Sequence, residues 1–304
     1  MRQHHLQDSL RTIIADLLLN LICMIIDAHV HISTYTGKGT NLNEVTKILL
    51  NEMDSNSVDY AVVIPDNMEN NPKIADLEAT LKIIKNEKRL FALGSPQIIQ
   101  RGSNEIDTYW KLLKEGTIKG LKFFPGHDPY KPTDERCIPY YELLQELNCP
   151  IVIHTGEISS NPKIPDPMKY NDPKYIVEIA KKFPNLKVII AHYCWPKIEY
   201  CYEITKEIPN IYFEISGCAD DEVLKASGGI KKMKNVLRET VSDRPDKVIF
   251  GTDWPLCDSK TESGFKKHID LVKSLGADGE TEQLIFWKNA NKIYKLGLML
   301  NDLE

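Results

Sequence analysis

His29 and His31 stand one residue apart at the end of an apolar run that begins at Met24. The run predicts a buried strand, and in a strand residues i and i+2 point to the same face. The two imidazoles then project together, the arrangement needed to grip one metal ion through two neutral nitrogens. Four further residues extend this chemistry. Lys122 lies near the end of the run 118–124, His154 ends 150–154, His192 ends 187–192, and Asp253 follows 247–251 within Gly251-Thr252-Asp253-Trp254-Pro255. Singly, each has an ordinary role: a core histidine, a capping acid, a lysine reaching for solvent. Together they describe one metal site. Of the other histidines, His4, His5, His127 and His268 end no strand, although His127 is placed to reach the same region.

A divalent ion held by imidazoles and a carboxylate lowers the pKa of bound water from about 16 to about 7. Asp253, touching both metal and water, would take the water's proton and return it to the leaving group. The metal, with His192 if that ring is not a ligand, would polarise the attacked carbonyl. This chemistry hydrolyses a small ester, lactone or cyclic amide. Zinc is the default for an imidazole-rich site, with manganese and iron as alternatives and one or two ions per chain.

The elements that must position these residues are legible as eight apolar runs, at 24–32, 60–64, 90–94, 118–124, 150–154, 187–192, 211–215 and 247–251. Most are continuous rather than alternating, as strands covered on both faces are. Helical spacing appears between them, as in Val45, Ile48, Leu49 and Met53, or Ile176, Ile179 and Phe183 behind the capping pair Asp172-Pro173. Strand starts fall roughly 25–37 residues apart, one βα unit each. Eight such units predict a (β/α)8 TIM barrel forming a single domain over 24–304; no glycine-rich first turn suggests a doubly wound sheet. Catalytic residues belong at the carboxyl ends of the strands, where the six residues above fall.

The chain has 304 residues, 42% of them hydrophobic, and a formal net charge of −5 without a dense basic block, so no nucleic-acid surface is suggested. Seven cysteines form no Cys-x-x-Cys pair, which fits a reducing, cytoplasmic setting better than a disulfide framework. Residues 1–23 read as an N-terminal extension, a start placed ahead of a true first residue at Met24; the alternative is a short helix plugging the bottom of the fold. The apolar stretch 13–26 is too short to span a bilayer and is interrupted by Asp16 and Asn20, so no membrane partner is expected. The expected partner is a small-molecule substrate, with a homodimer as the default assembly.

Around the site, Glu157, Trp195 and Trp254 are candidate substrate contacts, as is Lys122. Asp27 shares the face of His29 and His31 and could support them from deeper in the barrel. Tyr130, Lys131 and Arg136 follow the fourth strand and could meet an anion, and the proline-rich 161–167 could form a lid.

The stretches Ile25–His31, Gly120–Gly126, His154–Glu157, Ala191-His192, Gly251–Pro255 and Trp287–Ala290 resemble the amidohydrolase superfamily, and within it the amidohydrolase 2 branch. The resemblance spans Met24 to about Leu298. It implies that His29, His31 and Asp253 hold a first metal, joined by His154 in one-metal members. In two-metal members a carbamylated lysine, here Lys122, bridges the ions, and His154 and His192 hold the second. The same branch includes metal-dependent non-oxidative decarboxylases of aromatic and muconic acids. A lyase is therefore the alternative to a hydrolase, and a non-catalytic barrel scaffold the second alternative.

Overall fold

The structure is a computed structural model that describes residues 24–68, 71–157, 161–257 and 262–299, so the expected extension at 1–23 lies outside the described residues. The apolar runs form eight parallel strands: β1 (Ile26–Val30), β2 (Tyr60–Val63), β3 (Leu90–Ala92), β4 (Leu121–Phe123), β5 (Pro150–Ile153), β6 (Lys187–Ile190), β7 (Ile211–Glu214) and β8 (Val248–Ile249). Neighbours in sequence are neighbours in space, in the orders β1-β2-β3 and β4 through β8.

Backbone hydrogen bonds join these two sheets into a ring. At one seam Gly94 N–H donates to Gly120 O at 2.9 Å and Lys122 N–H to Gly94 O at 2.7 Å. At the other, Ala28 N–H donates to Phe250 O at 3.0 Å, Asp253 N–H to His29 O at 2.8 Å and His31 N–H to Trp254 O at 2.7 Å. The second seam therefore stitches together the segments that carry three of the expected ligands. Glycine is needed at the first: a Cβ on Gly94 would lie 2.5 Å from the Tyr109 ring, and one on Gly120 would lie 2.6 Å from Pro150 O.

Among the described residues, the longest helix after each strand covers the barrel: α1 (Leu42–Ser55), α2 (Leu77–Ile84), α3 (Ile106–Lys114), α4 (Ile138–Glu146), α5 (Pro173–Lys182), α6 (Ile198–Thr205), α7 (Ile230–Asp243) and α8 (Gly264–Lys273). Their apolar stripes face the strands. α1 buries Val45, Leu49 and Met53, and α5 begins where the Asp172 carboxylate accepts from Lys174 N–H, with Pro173 in the first turn. The main core lies between strands and helices. A second, smaller core fills the barrel with Ile26, Ala28, Val62, Leu93, Val152, Ile189 and Ile249. It is continued by Ile293 and Tyr294 of the last helix, α9 (Asn289–Tyr294). Asn289 ties that helix to the start of β8 through Pro245 O and Val248 O, both at 2.8 Å. The amino-terminal end of the barrel interior is thus filled with apolar side chains. No helix among the described residues is long and apolar enough to cross a membrane.

Candidate metal centre

His29, His31 and Asp253 converge at the β1–β8 seam. His29 Nε2 lies 3.2 Å from His31 Nε2 and 3.4 Å from Asp253 Oδ1, and His31 Nε2 lies 3.2 Å from the same oxygen. The other ring nitrogens are committed to the protein. His29 Nδ1 donates to Glu214 Oε1 and His31 Nδ1 to Ile64 O at 2.9 Å. Both Nε2 atoms therefore carry lone pairs, and with Asp253 Oδ1 they form a triangle of three acceptors that a cation would relieve. Asp253 Oδ1 is buried with no hydrogen-bond donor. Donors held about 2.1 Å from one ion stand about 3.0–3.4 Å apart in octahedral or tetrahedral arrangements, so the triangle fits a divalent ion.

His192 enters from β6. It, His29 and Asp253 each offer one donor atom, all within 4.8 Å of one another. Its Nδ1 donates to Ser216 Oγ at 2.9 Å, and that hydroxyl donates to Glu214 Oε1 at 2.6 Å. Glu214 and Ser216, at the end of β7, thus orient two ligand rings through a single ladder, the carboxylate–histidine support common at metal sites. The backbone is bent to deliver these groups. His192, Tyr193 and Cys194 have φ of 62, 50 and 54°, and Asp253 has φ 68°. Such left-handed non-glycine residues concentrate at functional sites.

Burial favours the neutral form of the His29 and His192 rings. It holds His29, with help from the Lys122 ammonium, well below the ordinary imidazole range, and lowers His192 to about 4. Lys122, the middle residue of β4, is fully buried, its Nζ 3.5 Å from His29 Nε2. Burial lowers its amine to about 8, against the opposing pull of the Glu214 and Asp253 carboxylates. Burial also raises the Glu214 carboxyl, which Lys122 counteracts.

The remaining candidates divide. His154 stands beside the triangle, its ring 5.0 Å from that of His192, with Nε2 buried and without a partner. His127 joins it edge-on at 4.2 Å, so five histidine rings run in an unbroken arc from His31 to His127. Asp27 supports the ligands through the backbone rather than through their rings. Its carboxylate accepts from His29 N–H at 2.9 Å, Thr252 N–H at 3.1 Å and the Thr252 hydroxyl, bracing β1 against β8. Trp195 is nearly buried, and Gly156, with φ 117°, leaves room for its indole beside the strand that carries His154. Glu157 is exposed in the loop beyond.

The expectation that Trp254 contacts substrate is corrected. Its ring is fully buried, stacks on Phe265 and donates through Nε1 to Glu52 at 3.0 Å, so packing behind the loop accounts for it. Arg136 forks onto Asp134 and Lys131 lies over the Tyr175 ring. The proline-rich loop is anchored, with Ile164 buried and Asn161 donating to His127 O at 3.1 Å. His268 is a core histidine, bonded to Gly264 O and Ala219 N–H. Sequence reasoning missed Glu214 and Ser216; the one available signal was an acid inside the apolar run Ile211-Tyr212-Phe213-Glu214-Ile215.

Comparison with known proteins bears on the family and the fold. An L-rhamnono-gamma-lactonase of Scheffersomyces stipitis is 27% identical over 150 residues, which are 40% of this chain and 45% of that protein. The chain thus matches less than half the length of that relative. Among solved structures, a TIM-barrel protein of Bordetella bronchiseptica superposes with a TM-score of 0.70 at 18% identity, covering 90% of this chain and 99% of the other. A protein of Acinetobacter baumannii described as a probable 2-pyrone-4,6-dicarboxylic acid hydrolase superposes with a TM-score of 0.63 at 16% identity, covering 89% and 99%. Both establish the barrel fold. The family model for amidohydrolases matches residues 26–296, nearly the whole barrel, and the chain belongs to the amidohydrolase family.

Proposed function

We propose that the protein is a metal-dependent hydrolase of a small ring ester, a lactone. The observation that carries this reading is the triangle of His29 Nε2, His31 Nε2 and Asp253 Oδ1, three potential ligand atoms held 3.2–3.4 Å apart. These residues, with His192, would hold the ion, and the imidazole-rich donor set favours zinc. A bound divalent ion supplies Lewis acidity, making hydroxide accessible at neutral pH and polarising an acyl oxygen. Asp253, ionised in the site, takes the proton from the attacking water and passes it to the departing alkoxide. Lys122 is a buried cation beside the triangle that can stabilise negative charge developing on the acyl oxygen.

The lactonase relative supports a lactone over an amide. The test is metal content by plasma mass spectrometry on protein purified without chelator, followed by lactone hydrolysis before and after metal removal. One or more equivalents of metal with chelator-sensitive lactonase activity is expected. Metal-loaded protein that releases carbon dioxide from hydroxybenzoates and cleaves no lactone would replace this reading with the lyase.

A further inference from the structure

Thr155 follows His154 at the end of β5, fully buried, and the proposed chemistry does not use it. Its hydroxyl meets the backbone beyond β6 twice. It donates to Ala191 O and accepts from Cys194 N–H at 2.9 Å. These two groups stand at the ends of the turn made by His192, Tyr193 and Cys194, all three of them left-handed. Left-handed backbone is uphill for a residue with a Cβ, so three in succession persist only where their surroundings hold them. A hydroxyl suits this task because one oxygen both donates and accepts.

The bracket is itself held in place. His154 N–H donates to Phe123 O at 2.9 Å and Asn171 Nδ2 donates to Gly156 O at 3.0 Å, so the backbone is tied on either side of Thr155. The middle of the turn is anchored elsewhere: the Tyr193 ring stacks on Phe213, centroids 5.0 Å apart, and its hydroxyl bonds that of Thr240. With Tyr193 packed there, the His192 ring lies 4.9 Å from that of His29.

We propose that Thr155 is a positioning residue for His192, its hydroxyl clipping the left-handed turn in the shape that delivers the ring to His29 and Asp253. Without that hydroxyl, Ala191 O loses a donor and Cys194 N–H an acceptor, in residues that are fully buried. The turn then relaxes and draws the ring away from the centre. That a metal ion is thereby held less tightly rests on the metal-site reading; the placement of the ring does not.

The test compares Thr155→Val, which keeps the branched shape and removes the hydroxyl, with Thr155→Ser, which keeps the hydroxyl. The first readout is the nuclear magnetic resonance of the His192 Nδ1 proton in metal-free protein. That proton is held by Ser216 Oγ at 2.9 Å, and its signal is assigned by its loss in His192→Asn. It is expected to stay in place in Thr155→Ser and to shift, or vanish through exchange, in Thr155→Val. The second readout is zinc affinity by competition with a chromophoric chelator, expected to fall about 10- to 100-fold in Thr155→Val and to stay near wild type in Thr155→Ser. An unmoved His192 signal in folded Thr155→Val overturns the proposal, whatever the variant's stability to urea. Equal damage in Thr155→Ser places the effect in the methyl group and overturns it too. Should Thr155→Val not fold, Thr155→Ala carries the same comparison. A displaced signal with zinc affinity unchanged, or with no zinc bound even by wild type, would count against His192 as a ligand and leave the positioning standing.

Discussion

His29 Nδ1 donates to Glu214 Oε1, a contact between two fully buried side chains 185 residues apart. It joins β1 to β7 across the barrel and fixes the tautomer of His29, so that Nε2 is the nitrogen turned toward Asp253. Because the carboxylate also raises the basicity of the ring, Glu214→Gln is expected to weaken metal binding about 10- to 100-fold while leaving the barrel folded. Competition against a chromophoric chelator measures this. Wild-type affinity in the variant would show that the Glu214 contact does not tune the centre.

Asp253→Asn tests the proposed base directly. Asparagine tolerates the left-handed backbone at this position, where φ is 68°, so folding should survive. Its amide can still reach the ion through oxygen but cannot carry a proton from water to leaving group. Turnover is expected to fall by about 10²–10⁴ with circular dichroism unchanged. Full activity in the folded variant would sink the assigned role.

Much of this was readable in the chain, and the gaps have physical causes. Continuous apolar runs at βα spacing announce a barrel because strands covered on both faces need not alternate. A polar residue at, near or just past the end of such a run falls toward the carboxyl end of the barrel, which is why His29, His31, Lys122, His154, His192 and Asp253 could be gathered from sequence. Glu214 escaped because one acid inside Ile-Tyr-Phe-Glu-Ile shows no partner until β7 is placed opposite His29. Trp254 misled because adjacency to Asp253 does not say on which side of a left-handed turn the next ring falls; it falls outward onto Phe265. Nor do His192, Tyr193 and Cys194 announce three successive left-handed residues, since none of these types needs that conformation.

Lys122 can be separated from the ligands. Its Nζ approaches His29 Nε2 at 3.5 Å, but the three-acceptor triangle is complete without it. Lys122→Met, which keeps the buried stem and removes the charge, is expected to retain one metal equivalent and to lose about 10- to 100-fold in kcat. Loss of a metal equivalent would instead make Lys122 part of the centre, as a carbamate.

The metal-free protein should be acid-labile, and His268 offers a clean measure because it lies in the core. Burial lowers its imidazole to about 4, below the ordinary value of 6.5, and its Nε2 accepts from Ala219 N–H, which a protonated ring cannot do. Between those two values the unfolded chain binds a proton that the folded chain refuses. The stability this residue contributes is therefore fully present above pH 6.5 and is lost as pH falls toward 4, by up to about 3 kcal/mol. His268→Gln should be less stable than wild type at pH 7, since glutamine only partly replaces the ring's bonds to Gly264 and Ala219. Its further loss between pH 7 and pH 4.5 should nevertheless be smaller than wild type's by about 2 kcal/mol. Urea unfolding of both proteins at the two pH values measures the difference. Parallel losses would mean that His268 is already protonated in the folded core, or that acid opens the barrel first at the histidine arc.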